Sequence, residues 1–466
     1  MQYISTRGAA PPLDFAEVLL AGLASDGGLY LPAKWPQLDE DTQRSLQGKP
    51  YQEVAFQVMK PFVGACVPEA ALRTIIGKAY GGFTHKAVTP LVQLDSQLWL
   101  MEMFHGPTLA FKDIALQLLG HLFDYVLAEK KQRLTIIGAT SGDTGSAAIQ
   151  GCRGRDNLDI FILHPKGRVS EVQRKQMTTV ADRNVHNLAI EGNFDDCQEI
   201  VKSLFNDEAM RKELNLGAIN SINWARIMAQ IVYYVYAAVN LGAPDRAIGF
   251  CVPTGNFGNI FAAYAAKQMG ISIARLVCAS NSNDILTTFY DTGIMKMGLI
   301  KPTLSPSMDI QVSSNFERLL YDLLERKPGE LIRSLAMFRA SGAYGLAPGQ
   351  HRKYRSLFVG HRADDMATLG TIAAAHRLYG QIIDPHTAVG LNAALVTQLD
   401  SQFPLVALAC AHPAKFPDAV LKAIGIRPHL PPRVGTQMNQ PERMTTLPKD
   451  YHIVAQHIRA HARGKN

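Results

Sequence analysis

Apolar positions along this chain alternate between two periods, most clearly between about residues 110 and 280. From Asp113 onward Ile114, Ala115, Leu118, Leu119, Leu122, Phe123, Val126 and Leu127 recur on one helix face, and Pro107 and Thr108 sit where such a helix would begin. Short continuous apolar runs at 134–137, 160–163, 185–190, 248–252 and 273–278 predict buried strands, several followed by glycine-rich or polar turns. That rhythm predicts an α/β fold with a parallel sheet covered by helices. In open sheets of this kind ligands bind beyond the carboxyl ends of the strands, so the turns are where chemistry is expected. The first hundred or so residues are less regular, with helix candidates at 19–23 and 53–63, and read as a separate N-terminal layer. Around 281–346 the pattern breaks into Pro- and Ser-containing loops, such as Pro302, Ser305, Pro306 and Ser307, which suggests an insertion or lid. Periodicity resumes at 366–378 and 387–399, with a strand at 405–408.

Composition narrows the function classes. The chain has 466 residues, 47% hydrophobic and 19% charged, as an ordinary globular protein of two or three domains has. Lys plus Arg exceeds Asp plus Glu by 47 − 40 = 7, a small excess without a basic run or a basic and aromatic stripe. A nucleic-acid partner is therefore not expected, and a small anionic ligand fits as well. The six cysteines form no Cys-x-x-Cys pair, which argues against zinc sites and a disulfide framework and for a reducing cytoplasm. The start lacks the apolar core of a signal peptide, with Asp14 and Glu17 soon after Met1. The most membrane-like run, 227–243, contains Gln230, Asn240 and Gly242, falls short of the ~20 apolar residues of a span, and reads as a buried helix.

Four places carry chemistry. In His105-Gly106-Pro107-Thr108-Leu109-Ala110-Phe111-Lys112-Asp113 a lysine is delivered to the first turn of a helix. A positive helix end and partial burial both disfavour an ammonium, leaving the free amine that an imine with an aldehyde cofactor requires. Taken alone, Lys112 fits better a snorkelling side chain whose stem covers apolar surface. After Ile137 comes Gly138-Ala139-Thr140-Ser141-Gly142-Asp143-Thr144-Gly145-Ser146, where four hydroxyls in seven residues exceed what capping needs and favour an anion at the helix start. Pro253-Thr254-Gly255-Asn256-Phe257-Gly258-Asn259 can wrap amides around a phosphate, yet lacks the lysine of a nucleotide P-loop. Asn220-Ser221-Ile222-Asn223-Trp224-Ala225-Arg226 combines amide, hydroxyl and guanidinium groups suited to a compact dianion; an Asn cap with a surface arginine is the plainer alternative.

These segments resemble the pyridoxal-phosphate enzymes of the tryptophan-synthase-β-like fold (fold type II), and within them the threonine synthase family in its longer bacterial and fungal branch. The likeness covers nearly the whole chain. It includes Tyr3-Ile4-Ser5-Thr6-Arg7-Gly8, Ala24-Ser25-Asp26-Gly27-Gly28-Leu29-Tyr30, the lysine segment, the Ser-Gly-Asp-Thr-Gly turn, Asp384-Pro385-His386-Thr387-Ala388-Val389-Gly390 and His412-Pro413-Ala414-Lys415-Phe416. The resemblance implies parallel or mixed sheets covered by helices with an extra N-terminal region. Its division is an N-terminal domain 1–90, a cofactor-binding α/β region 91–430 of two subdomains, and a C-terminal tail 431–466. It implies conversion of O-phospho-L-homoserine and water into L-threonine and phosphate by a cytoplasmic monomer or homodimer using pyridoxal 5'-phosphate and no metal. Lys112 then matches the lysine that carries the cofactor. Phe111, Asp143, Gly255, Asn256, Phe257, Gly258, Asn259 and Cys410 match its other contacts. Thr140, Ser141, Gly142 and Thr144 match the grip on the substrate carboxylate, and Asn220, Ser221 and Arg226 that on its phosphate.

Two positions depart from the pattern. Cys410 stands where related enzymes place a serine or threonine against the pyridine nitrogen, and a thiol is the weaker partner. Asp143 stands where many relatives have asparagine. Competing readings are another elimination or β-replacement on the same scaffold, discriminated by product, and a ligand-binding relative without turnover, against which the intact lysine and three polar turns argue.

Overall fold

The protein is described by a computed structural model, which covers residues 1–140, 142–398 and 402–463. Two sheets form its spine. The larger runs Phe358–Arg362, Ile273–Ser280, Ile248–Pro253, Leu405–Ala409, Leu98–Glu102, Leu91–Gln93, parallel except for the antiparallel last pair. The second runs Thr445–Pro448, Val185–Glu191, Leu158–Pro165, Leu134–Ala139, Leu216–Gly217, all parallel. Every strand predicted from an apolar run is present and slightly longer than its run. The four edge strands escaped that criterion, because an edge pairs on one side only and need not be apolar; Thr445–Pro448 is largely exposed. Leu98–Glu102, an interior strand, was also missed.

Helix Trp224–Asn240 lies at the centre of the molecule. It packs against Tyr51–Val63 of the N-terminal layer, against Lys112–Lys130 and against Gly258–Gln268, so the apolar run 227–243 is a core helix. At its start Trp224 is fully buried among Tyr3, Trp35 and Phe62, with ring centroids 5.6–6.0 Å apart. Among the described residues, no helix is long and apolar enough to cross a membrane. The N-terminal helix predicted at 19–23 begins earlier, at Phe15, because Asp14 and Glu17 form a reciprocal capping box.

Two regions read as irregular have regular structure. The stretch 281–346 holds helices Ile285–Thr292, Phe316–Leu323 and Pro328–Ser341 and a two-stranded antiparallel sheet pairing Ile294–Lys296 with Ala343–Gly345. The stretch 431–466, expected as a tail, supplies the edge strand Thr445–Pro448 and helix Tyr451–His461, whose Val454, Ala455 and Ile458 are buried in the core of the second sheet.

One close approach sets the site. Helices Lys112–Lys130 and Asp143–Cys152 meet backbone to backbone at Gly120 and Gly151, where a Cβ on either would overlap a carbonyl of the other helix. Gly120 lies eight residues after Lys112 and Gly151 eight after Asp143, about 12 Å along each helix. The crossing therefore holds the two charged starts beside each other.

Candidate active site

The lysine loop is sewn to the end of strand Leu405–Ala409. The Phe111 N–H donates to the Cys410 carbonyl (2.8 Å) and the His412 N–H to that of Leu109 (3.0 Å), with Leu109 at φ +63°. Asp113 folds back to accept from both the N–H (2.8 Å) and the hydroxyl (2.7 Å) of Thr108. The loop is thus held open until Lys112, where the helix begins, rather than at Pro107 and Thr108 as the sequence suggested. Burial pushes the Asp113 carboxyl up to about 6, against the pull of its Thr108 hydrogen bonds.

Lys112 does not snorkel: its side chain is only 14% exposed. Burial lowers its proton affinity, and although Asp143 pulls the other way, Lys415 and Arg226 lower it further. Its Nζ lies 3.9 Å from Asp143 Oδ2 and 5.9 Å from the centre of the Phe111 ring. Asp143 also accepts at Oδ1 from Lys415 Nζ and Gln173 Nε2, both at 2.8 Å. Burial pushes the Asp143 carboxyl up, but Lys415 and Lys112 outweigh it and hold the group well below the usual carboxylate range.

In the turn before Asp143 the hydroxyl of Thr140 accepts from the Gly142 (3.1 Å) and Gly145 (3.0 Å) amides, so it shapes the turn. Thr144 is half-buried on the first turn of the helix, and Ser141 lies outside the described residues.

Cys410 is buried beside Lys112, and burial pushes its thiol well above the ordinary value. The S–H donates to the Leu408 carbonyl over 3.7 Å, while the Cys410 N–H donates to the Thr387 hydroxyl at 3.0 Å. Thr387 in turn donates to Asp384, which also accepts from His386 Nδ1 (2.8 Å). Because the Ser307 N–H donates to His386 Nε2, the proton of that imidazole sits on Nδ1.

In the Gly255 turn the carbonyls are taken by the protein itself. The Ser313 hydroxyl donates to the Gly255 carbonyl (2.6 Å), and both the amide (3.2 Å) and the side chain (3.0 Å) of Asn315 donate to the Asn256 carbonyl. Across a trans peptide the following N–H points opposite, so the Asn256 and Phe257 amides face away from these partners. Phe257 is left-handed at φ +64°, and a Cβ on Gly255 would come within 2.7 Å of the Ser307 carbonyl. Gly258 and Asn259 open the next helix; Asn259 Oδ1 accepts from Tyr233 and Tyr234, while its buried Nδ2 has no partner among the described residues.

Arg226 is the decisive cation. It is 4% exposed, not a surface arginine, and its Nε and one terminal nitrogen find no partner among the described residues. Burial pushes its guanidinium down to about 10. Asn220 accepts from the Ile222 N–H (3.3 Å) and the Ser221 carbonyl accepts from Asn315 Nδ2 (3.1 Å), but the cap of the Arg226 helix is Asn223, not Asn220. A buried guanidinium without an acceptor is costly unless an anion completes it. Orphaned Arg226 and Asn259 donors, a turn whose Gly255 has no room for a Cβ and a buried amine of lowered proton affinity fit a phosphate-bearing aldehyde such as pyridoxal phosphate and a phosphorylated substrate.

The sequence did not point to Lys415, Gln173, Asn315 or Arg318. Arg318 is fully buried and donates to the Tyr30 (2.9 Å) and Ile222 (2.6 Å) carbonyls and to Asn315 Oδ1, tying the N-terminal layer to two of the polar turns. A cavity of about 280 Å³ lies behind the lysine loop, lined by Glu102, His105, Leu109 and His412. A wider cleft of about 700 Å³ between Trp35 and Tyr264 is lined by none of the expected site residues.

Residues 2–80, 83–343 and 387–458 match the family profiles described as threonine synthase N terminus, pyridoxal-phosphate dependent enzyme, and threonine synthase, C-terminal. The chain is 53% identical over 467 residues to threonine synthase of Pseudomonas aeruginosa, covering all of both chains. It belongs to the threonine synthase family. The crystal structure of pyridoxal-phosphate-bound threonine synthase from Brucella melitensis superposes with a TM-score of 0.98 at 50% identity, over 99% of this chain and 100% of that one. Yeast threonine synthase superposes with a TM-score of 0.94 at 38% identity, over 99% and 98%. Membership of this pyridoxal-phosphate-dependent family bears out the fold, the cofactor and the activity that the resemblance implied.

Proposed function

We propose that the site takes O-phospho-L-homoserine and water to L-threonine and phosphate, with the residues in the following roles. Pyridoxal phosphate, when bound, supplies the electron sink that makes carbon-bound protons of the substrate removable. Lys112 would carry its aldehyde, the amides of Gly255, Asn256, Phe257, Gly258 and Asn259 its phosphate, and Phe111, Asp143 and Cys410 its ring. Lys112, as a neutral amine, is the base that takes protons at Cα and Cβ and returns them. The Cγ–O bond breaks as phosphate leaves, and Arg226, with Asn220 and Ser221, stabilises the charge growing on it. Water then supplies a hydroxyl at Cβ, and protons returned to Cα and Cγ complete threonine. Thr144, Ser141 and Gly142, in the turn shaped by Thr140, orient the substrate carboxylate and so decide which bond breaks.

The guanidinium of Arg226, with two nitrogens that have no partner among the described residues and close enough to Lys112 to disfavour its proton, carries this reading. We place the enzyme in the cytoplasm as a monomer or homodimer, without nucleic-acid partners; all six cysteines are free. The test is to add O-phospho-L-homoserine to the purified protein and assay threonine and phosphate together. Equal release of both is expected; 2-oxobutanoate with ammonia in place of threonine would overturn the assignment.

A further inference from the structure

Lys415 closes the short helix Pro413–Lys415, and its side chain has no exposed surface. Its Nζ donates to Asp143 Oδ1 at 2.8 Å and to the Thr108 carbonyl at 2.7 Å. Lys112 Nζ lies 3.9 Å from the other oxygen of the same carboxylate. Two amines thus share one buried carboxylate and divide it unequally: 2.8 Å is a charge-assisted hydrogen bond, whereas 3.9 Å is beyond hydrogen-bonding reach.

We propose that Lys415 is a positioning residue for the reaction: by occupying Asp143 it leaves Lys112 without a hydrogen-bonded counter-ion, and so keeps that amine neutral and free to react. This rests on Lys112 being the reactive amine. The charged and titratable groups facing Lys112 come from four elements: Asp143, Lys415, Arg226 and Cys410. The Cys410 thiol is held protonated by burial, so it adds no charge. Arg226 and Lys415 against Asp143 leave one net positive charge before Lys112 takes a proton. A second such charge in a buried volume is strongly disfavoured. Were Lys415 removed, Asp143 would be free to turn to Lys112 and hold it as an ammonium. The Thr108 contact gives the same side chain a second hold, since Thr108 also receives Gln176 Nε2 (3.1 Å) in the loop that leads to Lys112.

The test reads Lys112 directly. The full-length protein stripped of cofactor is pulsed with acetic anhydride from neutral to alkaline pH, and the Lys112 peptide is quantified by mass spectrometry. In the unaltered protein half-labelling is expected below the alkaline range of ordinary lysines. Lys415→Met should raise the midpoint by about one pH unit or more, a roughly tenfold slower labelling at neutral pH, and Lys415→Arg should restore it. An unchanged or lowered midpoint in Lys415→Met, or an arginine variant that behaves like it, would overturn the inference. Should Lys415→Met not fold, ¹⁵N NMR of lysine side chains in the unaltered protein decides. A neutral Lys112 at neutral pH supports the inference, and a charged Lys112 sinks it. Turnover by Lys112→Ala would remove the underlying functional reading instead, so the two failures are distinguishable.

Discussion

The two walls of the site are built on opposite rules. On the lysine wall the carboxylates find donors within the protein: Asp143 is taken by Lys415 and Gln173, and Asp113 by Thr108. On the phosphate wall buried donors are left over among the described residues, two guanidinium nitrogens of Arg226 and the amide nitrogen of Asn259. The first arrangement satisfies its carboxylates from within the protein and biases their protonation. The second is complete only with an anion. The difference separates the chemistry of the site, which the protein carries within itself, from its specificity, which the ligand must finish.

Removing the amine from the self-contained wall should have the largest effect. Lys112→Ala is expected to lower kcat for O-phospho-L-homoserine by at least about a thousandfold and to abolish the absorbance that belongs to the imine between this lysine and the cofactor. Normal turnover by that variant would erase the distinction between the walls. On the open wall the expected loss is smaller and of another kind. Arg226→Met should cut kcat/KM for the phosphosubstrate by about a hundredfold or more with cofactor content unchanged. The same variant should gain stability when no ligand is present, about 1–3 kcal/mol by urea unfolding, because it removes a buried unpaired charge. A variant less stable than the parent would mean that Arg226 has a partner in solution, and the wall would not be open.

How much of this was legible in the sequence follows the same division. Lys112, the hydroxyl-rich turn and the Gly255 turn are contiguous segments, and continuity is what a sequence displays. The long interior strands were legible because a strand buried on both faces is an unbroken apolar run; the edge strands, such as Thr445–Pro448, were not, because they need no apolar pattern. The start of the lysine helix was misplaced because the residue that delays it, Asp113, acts backwards on Thr108. Lys415, Gln173 and Arg318 were invisible as functional groups. Their partners lie 272, 30 and 288 residues away along the chain, and no local pattern announces such a contact. The burial of Arg226 was equally hidden, since an arginine reads as surface unless the fold says otherwise.

The lysine wall also holds two carboxylates driven in opposite directions, which separates its members by pH. Asp143 is depressed, so its contribution to stability is present above its unfolded value near 3.8 and is lost as the solution is acidified below it. Asp113 is raised from 3.8 to about 6, so the native state keeps a proton that the unfolded chain has released. Its contribution is therefore fullest below about pH 4 and declines as pH rises through about 6. Asp113→Asn, which preserves the shape and can still serve Thr108, should remove that decline. Relative to the parent it should gain on the order of 2 kcal/mol in urea unfolding between those two limits. A constant difference across the window would show that Asp113 does not titrate there.

The smallest effect is expected where the two walls meet. Cys410 lies near Lys112 and near Tyr233 and Tyr234, whose hydroxyls hold Asn259. Its thiol is too buried to ionise, and its donation to Leu408 over 3.7 Å is weak, so the sulfur acts here mainly as volume. Cys410→Ser exchanges that volume for a stronger donor with the same carbonyl in reach. The gain of a hydroxyl hydrogen bond and the loss of apolar contact are each about 1 kcal/mol and oppose one another, so kcat and stability should stay within about threefold and 1 kcal/mol of the parent. Cofactor retention on dialysis is the sharper measure, because the resemblance sets this residue against the pyridine nitrogen, to which a hydroxyl donates better than a thiol. Retention should be equal or tighter. A serine variant that sheds cofactor would show that sulfur fills a space oxygen cannot, and that at this junction packing outranks hydrogen bonding.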